Sequence, residues 1–266
     1  MIEVTVVAHA QDLPTTLPLG EVHLWVSPDE PACIGSMCAD GIALLSLPEK
    51  QHFADMKHRP MAKRFLQGRL LMRRVLARYL GEEPAALAFR YNANGKPELD
   101  GPPATPLSFN LSHSASDVVL AVARTSAIGV DIESMRRADA AHRISHRFFS
   151  ESEIRDLEAL GAAAPERALM LWALKESIVK ANGDTVWDGL AKISLAIEDR
   201  RIEWPSSHKS DGSTWHLAGG PFRGNCVLAF AVKSSGDQTG EPLVCQTYQL
   251  GKDTVELYGF EPQFRT

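Results

Sequence analysis

The chain has 266 residues, 44% hydrophobic and 23% charged, a composition that excludes a disordered or fibrous protein. Its 28 Lys and Arg against 33 Asp and Glu leave a net charge of −5, which argues against a generally basic, nucleic-acid-binding coat. No apolar run reaches the ~18 residues of a membrane span, and the amino terminus lacks the cationic start of a secretory leader, so a cytoplasmic protein is expected.

In chain order, the opening residues MIEVTVV read as a strand, and residues 21–26 (EVHLWV) alternate like a second one. From Pro48 to Leu80 the spacing of Phe65, Leu66, Leu70, Val75 and Leu76 predicts one helix stopped by Gly81. That helix carries Lys63, Arg64, Arg69, Arg73, Arg74 and Arg78, the one dense basic stretch of an acidic chain. Residues 87–91 and 107–124 look like strands, with a turn at Asn94-Gly95 before the second. AIGVDIE, residues 127–133, is another strand.

The second half begins with helical segments near 140–149, 151–160 and 165–182. Short strands near 191–198, 213–218, 225–233 and 243–250 complete it, around a polar loop at 205–214. The pattern predicts an α+β fold in two halves, each mixing helices with mainly antiparallel strands and meeting near residue 125. Cys33, Cys38, Cys226 and Cys245 lack the spacing of a zinc site, and read as buried or idle thiols.

The chemistry concentrates in five places. In GVDIE, Asp131 and Glu133 lie two apart on a strand and share a face, while Ile128, Val130 and Ile132 point to the other. Adjacent carboxylates with oxygen-only ligands suit a hard ion such as Mg²⁺, although a solvated strand face has the same pattern. In LMLWALKESIVKANG, residues 169–183, Leu171, Leu174, Ile178 and Ala181 form an apolar stripe. Trp172, Glu176 and Lys180 line an adjacent face with Lys175 beside them, either as a surface Glu–Lys pair or as a third carboxylate with cations for phosphate. Ser150 and Glu153 form a capping box, which makes Glu153→Gln nearly neutral, within about 0.5 kcal/mol. The NGKP turn presents Lys96, and FNLSHS places Ser112 and His113 on a strand where either residue can meet an anion or a neighbouring hydrogen-bond partner.

Together these pieces resemble the Sfp-type 4′-phosphopantetheinyl transferases. The resemblance rests on AKRFLQGR (Ala62 to Arg69), NGKP (Asn94 to Pro97), FNLSHS (Phe109 to Ser114), GVDIE (Gly129 to Glu133), FFSESE (Phe148 to Glu153) and WALKESIVK (Trp172 to Lys180), and spans residues 62–183. Ala115 departs from the glycine that many members have after S-H-S.

The resemblance implies two similar α+β halves, 1–125 and 126–266, about a pseudo-twofold, with the active site in the cleft between them. It implies transfer of the phosphopantetheine arm of coenzyme A to a serine of an apo carrier protein, with adenosine 3′,5′-bisphosphate leaving. It further implies acyl, peptidyl or aryl carriers as partners and a monomeric enzyme. Asp131, Glu133 and Glu176 would ligate Mg²⁺, or Mn²⁺ in its stead, and Lys180 and Lys175 would face the pyrophosphate. Arg64, Arg69, Gly95, Lys96, Pro97, Ser112 and His113 would hold the nucleotide and its 3′-phosphate. Glu176, a metal-bound water and Glu153 remain open as the base. Two other readings fit the residues less fully: a Mg²⁺-dependent phosphoesterase with a water nucleophile, and a non-enzymatic scaffold gripping acidic partners through the basic helix.

Overall fold

A computed structural model of the chain describes residues 3–6, 13–28, 41–101, 107–114, 117–185, 189–196, 201–203, 213–223, 225–234, 244–249 and 264–265. Cys33, Cys38, Ala115 and most of the polar loop at 205–214 lie outside these residues. The first part comprises strand β1 (Glu3–Val6), β2 (Glu21–Pro28), helix α1 (Leu47–Asp55), α2 (Arg59–Leu80), β3 (Phe89–Tyr91), β4 (Pro97–Leu99), β5 (Ser108–His113) and β6 (Asp117–Ala123). The second comprises β7 (Ala127–Ser134), α3 (Ala138–Ile144), α4 (Glu151–Leu160), α5 (Ala164–Asn182), β8 (Ser194–Ala196), β9 (Arg201–Glu203), β10 (Thr214–Phe222), β11 (Cys226–Ser234), β12 (Val244–Gln249) and β13 (Phe264–Arg265). None of the described helices is long and apolar enough to cross a membrane.

The fold is α+β, and one topology occurs twice. In the first half β2 is followed by α2 and the hairpin β5–β6, and β2 pairs antiparallel with β6. In the second half β7 is followed by α5 and the hairpin β10–β11, and β7 pairs antiparallel with β11. The strand orders β2-β6-β5 and β7-β11-β10 are therefore the same arrangement built from two unrelated stretches of sequence.

Strand alternation sorts the side chains into layers. Val22, Leu24, Val26, Val119 and Ala121 of one sheet pack against Ile128, Val130, Ile132, Leu228 and Phe230 of the other. On the outer face of the first sheet, Trp25, Leu120 and Val122 meet Leu71, Met72, Val75 and Leu76 of α2. On the outer face of the second, Leu171, Leu174 and Ile178 of α5 meet Leu217, Val227, Ala229 and Ala231. Each sheet thus has one helix outside and the other sheet inside. The edges of the two sheets meet where β5 runs beside β7. The Val130 amide donates to Asn110 Oδ1 at 2.9 Å and the Ile132 amide to Ser112 Oγ at 3.3 Å, so two side chains satisfy that edge of β7.

Three expectations change. The helix over 48–80 is two helices, because Met56 and His58 are both extended and Pro60 cannot supply the amide that a continuous helix needs there. The division at residue 125 is crossed by β12, which lies parallel between β1 and β2 in the first sheet. Cys245 and Tyr248 are buried in different cores on the two faces of β12, which suits an inner strand and not an exposed edge. Finally, the strand expected over 191–198 begins only at Ser194, after a 3-10 turn at Leu190–Lys192, and its described part is the three-residue β8 paired with β9; residues 197–198 lie outside the described residues.

Candidate active site

The close approach of α5 to β7 makes the site. A Cβ on Gly129 would stand 1.9 Å from the Ser177 carbonyl oxygen and 2.5 Å from the Ala181 nitrogen, so only glycine lets the helix lie on the strand here. Asp131 and Glu133, on the same face of β7 as Gly129, then meet Glu176 of α5. One oxygen from each of these three carboxylates lies within 4.8 Å of the others.

Lys180, one turn after Glu176, donates to Asp131 Oδ1 and stands 3.2 Å from Glu176 Oε2 and 3.3 Å from Ser112 Oγ. Ser112 Oγ also donates to Asp131 Oδ1 at 3.0 Å. The Trp172 indole donates to Glu176 Oε1 at 2.6 Å, and Arg137 donates to Glu133 Oε1. Burial, followed by repulsion from Asp131 and Glu176, pushes Glu133 up to about 7, against the pull of Arg137. Burial and Asp131 likewise raise Glu176. Burial opposes the charge on Lys180, but Asp131 and Glu176 hold its pKa above the ordinary lysine value.

Asp131 Oδ2 is buried and has no hydrogen-bond partner. Three crowded carboxylates with one orphaned oxygen fit a hard divalent cation, which would supply the missing contact and relieve the repulsion.

The first half contributes the opposite wall. Ser112 sits against Asp131 and Lys180. His113, the last residue of β5, is exposed, and partial burial together with the charges of Arg64 and Lys180 lowers its pKa. Arg64 and Lys180 are thus the cations beside His113, and they favour its neutral imidazole. Arg69 is held 3.4 Å from Glu49 Oε1, with its guanidinium over the rings of Phe65 at 4.9 Å and Tyr91 at 5.4 Å.

Two lysines of the expected set are elsewhere. Lys175 is sealed from solvent, its ammonium 2.8 Å from Glu153 Oε2 and 3.1 Å from the Phe148 carbonyl. On a helix it lies about 100° from Glu176, which turns it away from the carboxylates and into the α4–α5 packing. Glu153 is consumed too, since it also accepts from the Ser150 amide at 2.7 Å and the Leu195 amide at 2.9 Å. This makes Glu153 the weaker candidate base. Lys96 points its ammonium at three backbone carbonyls, those of Lys180 at 2.7 Å, Ala181 at 3.1 Å and Ile128 at 3.3 Å. Its donors are satisfied within the protein, and burial lowers it to about 8. Gly95, at φ +82°, shapes the turn that carries it, and Pro97 starts β4. A cleft of about 940 Å³ opens between the halves beside this turn, lined by Lys96, Pro97, Phe109, Ala127 and Asn182 among others.

Sequence reasoning missed Glu49, Arg137 and Asn110. Glu49 caps α1 from Ser46 and binds the buried Arg73 at 2.6 Å, so Arg73 belongs to the interior and not to a basic surface. The S-x-x-E box at 46–49 was the available signal.

Residues 127–231 match the 4′-phosphopantetheinyl transferase superfamily, and residues 38–125 match a family described as 4′-phosphopantetheinyl transferase, N-terminal. The 4′-phosphopantetheinyl transferase HetI of Nostoc sp. is 35% identical over 229 residues, which cover 84% of this chain and 92% of that protein. The chain belongs to the 4′-phosphopantetheinyl transferase superfamily. A 4′-phosphopantetheinyl transferase of Bacillus subtilis is 33% identical over 173 residues, covering 63% of this chain and 75% of the relative. The two matched regions of this transferase meet between β6 and β7. The carboxylates and Lys180 fall in the second region, and Arg64, Ser112 and His113 in the first.

Proposed function

We propose that this chain transfers the 4′-phosphopantetheine arm of coenzyme A to a serine of an apo carrier protein, with Mg²⁺ in the carboxylate cluster. The observation that carries this reading is the convergence of Asp131, Glu133 and Glu176 around a buried, unpartnered oxygen, with Lys180 beside them. Asp131, Glu133 and Glu176 would hold the ion, which when bound neutralises pyrophosphate charge and polarises its oxygens.

The chain's own groups do the rest. Lys180 has a fixed ammonium for a pyrophosphate oxygen, Arg64 adds a second cation on the first half, and the neutral His113 imidazole beside it would offer a hydrogen bond to the nucleotide. The carrier serine oxygen forms a bond to the β-phosphorus. The bond from that phosphorus to the bridging oxygen breaks, and adenosine 3′,5′-bisphosphate leaves with the electron pair. Glu176, whose pKa burial and Asp131 raise, would accept the serine proton, and Glu153 is the weaker candidate because its own ion pair closes it off. Ser112 and Trp172 orient Asp131 and Glu176 respectively.

The test is incubation with coenzyme A, Mg²⁺ and a panel of apo acyl, peptidyl and aryl carrier domains, read by mass spectrometry of the carrier. A gain of one phosphopantetheine on the carrier serine, abolished by chelator, is expected. Release of nucleotide from coenzyme A without any carrier gain would replace this reading with a phosphoesterase.

A further inference from the structure

The NGKP turn makes a set of contacts inside the protein that the nucleotide role implied by the resemblance does not account for. Its lysine reaches across the junction of the halves and binds the two elements that carry the carboxylates. Ile128, whose carbonyl it takes, stands three residues before Asp131 on β7. Lys180 and Ala181, whose carbonyls it also takes, are in the last turn of α5.

The last four carbonyls of a helix have no amide partner within the helix, and a cation there also meets the negative end of the helix dipole. Three donors on one compact ammonium answer three carbonyls from two elements, which a planar guanidinium cannot reproduce at the same distances. The two asparagines of the turn add to the same grip. Asn94 Nδ2 donates to the Gly183 carbonyl at 2.7 Å, and Asn92 Nδ2 donates to it at 3.2 Å. Asn92 Oδ1 in turn accepts from the Asn94 and Lys96 amides, both at 2.9 Å, which fixes the turn itself.

We infer that Lys96 is a positioning residue: with Asn92 and Asn94 it forms a clasp from the first half that sets α5 against β7, and so sets Glu176 and Lys180 against Asp131. This deepens the transferase reading and rests on it for the kinetic part of the test. The site depends on an α5–β7 approach already at the limit of backbone contact over Gly129. A small slide of the helix therefore changes the carboxylate spacing directly.

Three readouts on Lys96→Met separate the clasp from a phosphate ligand: kcat, the KM values for coenzyme A and 3′-dephospho-coenzyme A, and Mn²⁺ affinity of the protein alone. The clasp predicts a kcat loss of about tenfold or more, weaker Mn²⁺ binding, and an unchanged ratio of the two KM values. A KM increase confined to coenzyme A, with Mn²⁺ binding intact, would overturn it and make Lys96 a 3′-phosphate ligand. Unchanged kcat and Mn²⁺ affinity would overturn it as well.

If Lys96→Met does not fold, Asn94→Ala carries the test, because it removes one exposed donor to the same helix end. Weaker Mn²⁺ binding in that variant supports the clasp, and wild-type Mn²⁺ binding contradicts it. Failure of the transferase reading shows separately, as a wild-type chain that modifies no carrier while the Mn²⁺ comparison still reports on the clasp.

Discussion

Helix α5 carries two lysines five residues apart, each paired with a carboxylate, and the two pairs have opposite designs. Lys175 and Glu153 are both fully sealed, and each is held by several partners: the ammonium by Glu153, the Phe148 carbonyl and the Phe149 ring, the carboxylate by Ser150, Lys175 and Leu195. Lys180, which is partly exposed, and Asp131 stand among two further carboxylates, with three acidic groups facing Lys180 and Arg137 and one Asp131 oxygen left over. A closed pair fixes α4 on α5 and resists any ligand. An open, charge-unbalanced cluster draws a divalent cation and an anionic substrate. The same residue types on one helix thus serve architecture on one face and, in the proposed reading, chemistry on the other.

The largest effect should come from breaking the closed pair. Lys175→Met leaves Glu153 buried without its cation, and should cost about 3–5 kcal/mol in chemical denaturation while the folded fraction keeps its turnover. Glu153→Gln should now also be costly, at least about 2 kcal/mol, far from the near-neutral change that a simple cap implies. A melting point unchanged by either would mean that the pair is not closed in solution.

Breaking the open cluster should invert that outcome. Glu176→Gln should lose at least ~10²-fold in turnover, equivalent to about 2.7 kcal/mol, with stability within about 1 kcal/mol of wild type. Steady-state carrier modification and thermal melting of the same preparation read both quantities.

Gly129→Ala tests whether the approach of the two elements matters to both designs. The added methyl must move the α5 backbone, and a stability loss of about 2 kcal/mol with a disproportionate fall in Mn²⁺ affinity is expected. The smallest effect belongs to Arg137→Ala. Arg137 is 59% exposed, so its loss should change stability by no more than about 0.5 kcal/mol and leave Mn²⁺ affinity within a few-fold.

How much was legible beforehand divides along physical lines. The alternation of β7 and the stripe of α5 are local patterns, and they correctly put Asp131 and Glu133 on one face and Glu176 one turn from Lys180. The Ser150–Glu153 box is equally local, and it forms as its spacing predicts. The break after Asp55 was missed because the apolar spacing continues through it and only Pro60 opposes a single helix.

The destinations of Lys96 and Lys175 were not legible, because a long cation takes whichever partner the tertiary fold brings near. For Lys96 that partner is a helix end more than 80 residues away in sequence, and for Lys175 it is a cap glutamate 22 residues upstream. The place of β12 depends in the same way on a strand pairing that no local pattern records. The repeated topology of the halves was reached through family resemblance, since hydrogen-bonded strand order leaves no trace in composition or periodicity.

The most direct measurement is a Mn²⁺ titration of the wild-type chain, Lys175→Met and Asp131→Ala, followed by the electron paramagnetic resonance signal of unbound Mn²⁺. The open-cluster account predicts one saturable ion per chain in wild type and in folded Lys175→Met, and loss of that site in Asp131→Ala with the fold intact. Equal Mn²⁺ binding by Asp131→Ala and wild type would contradict it.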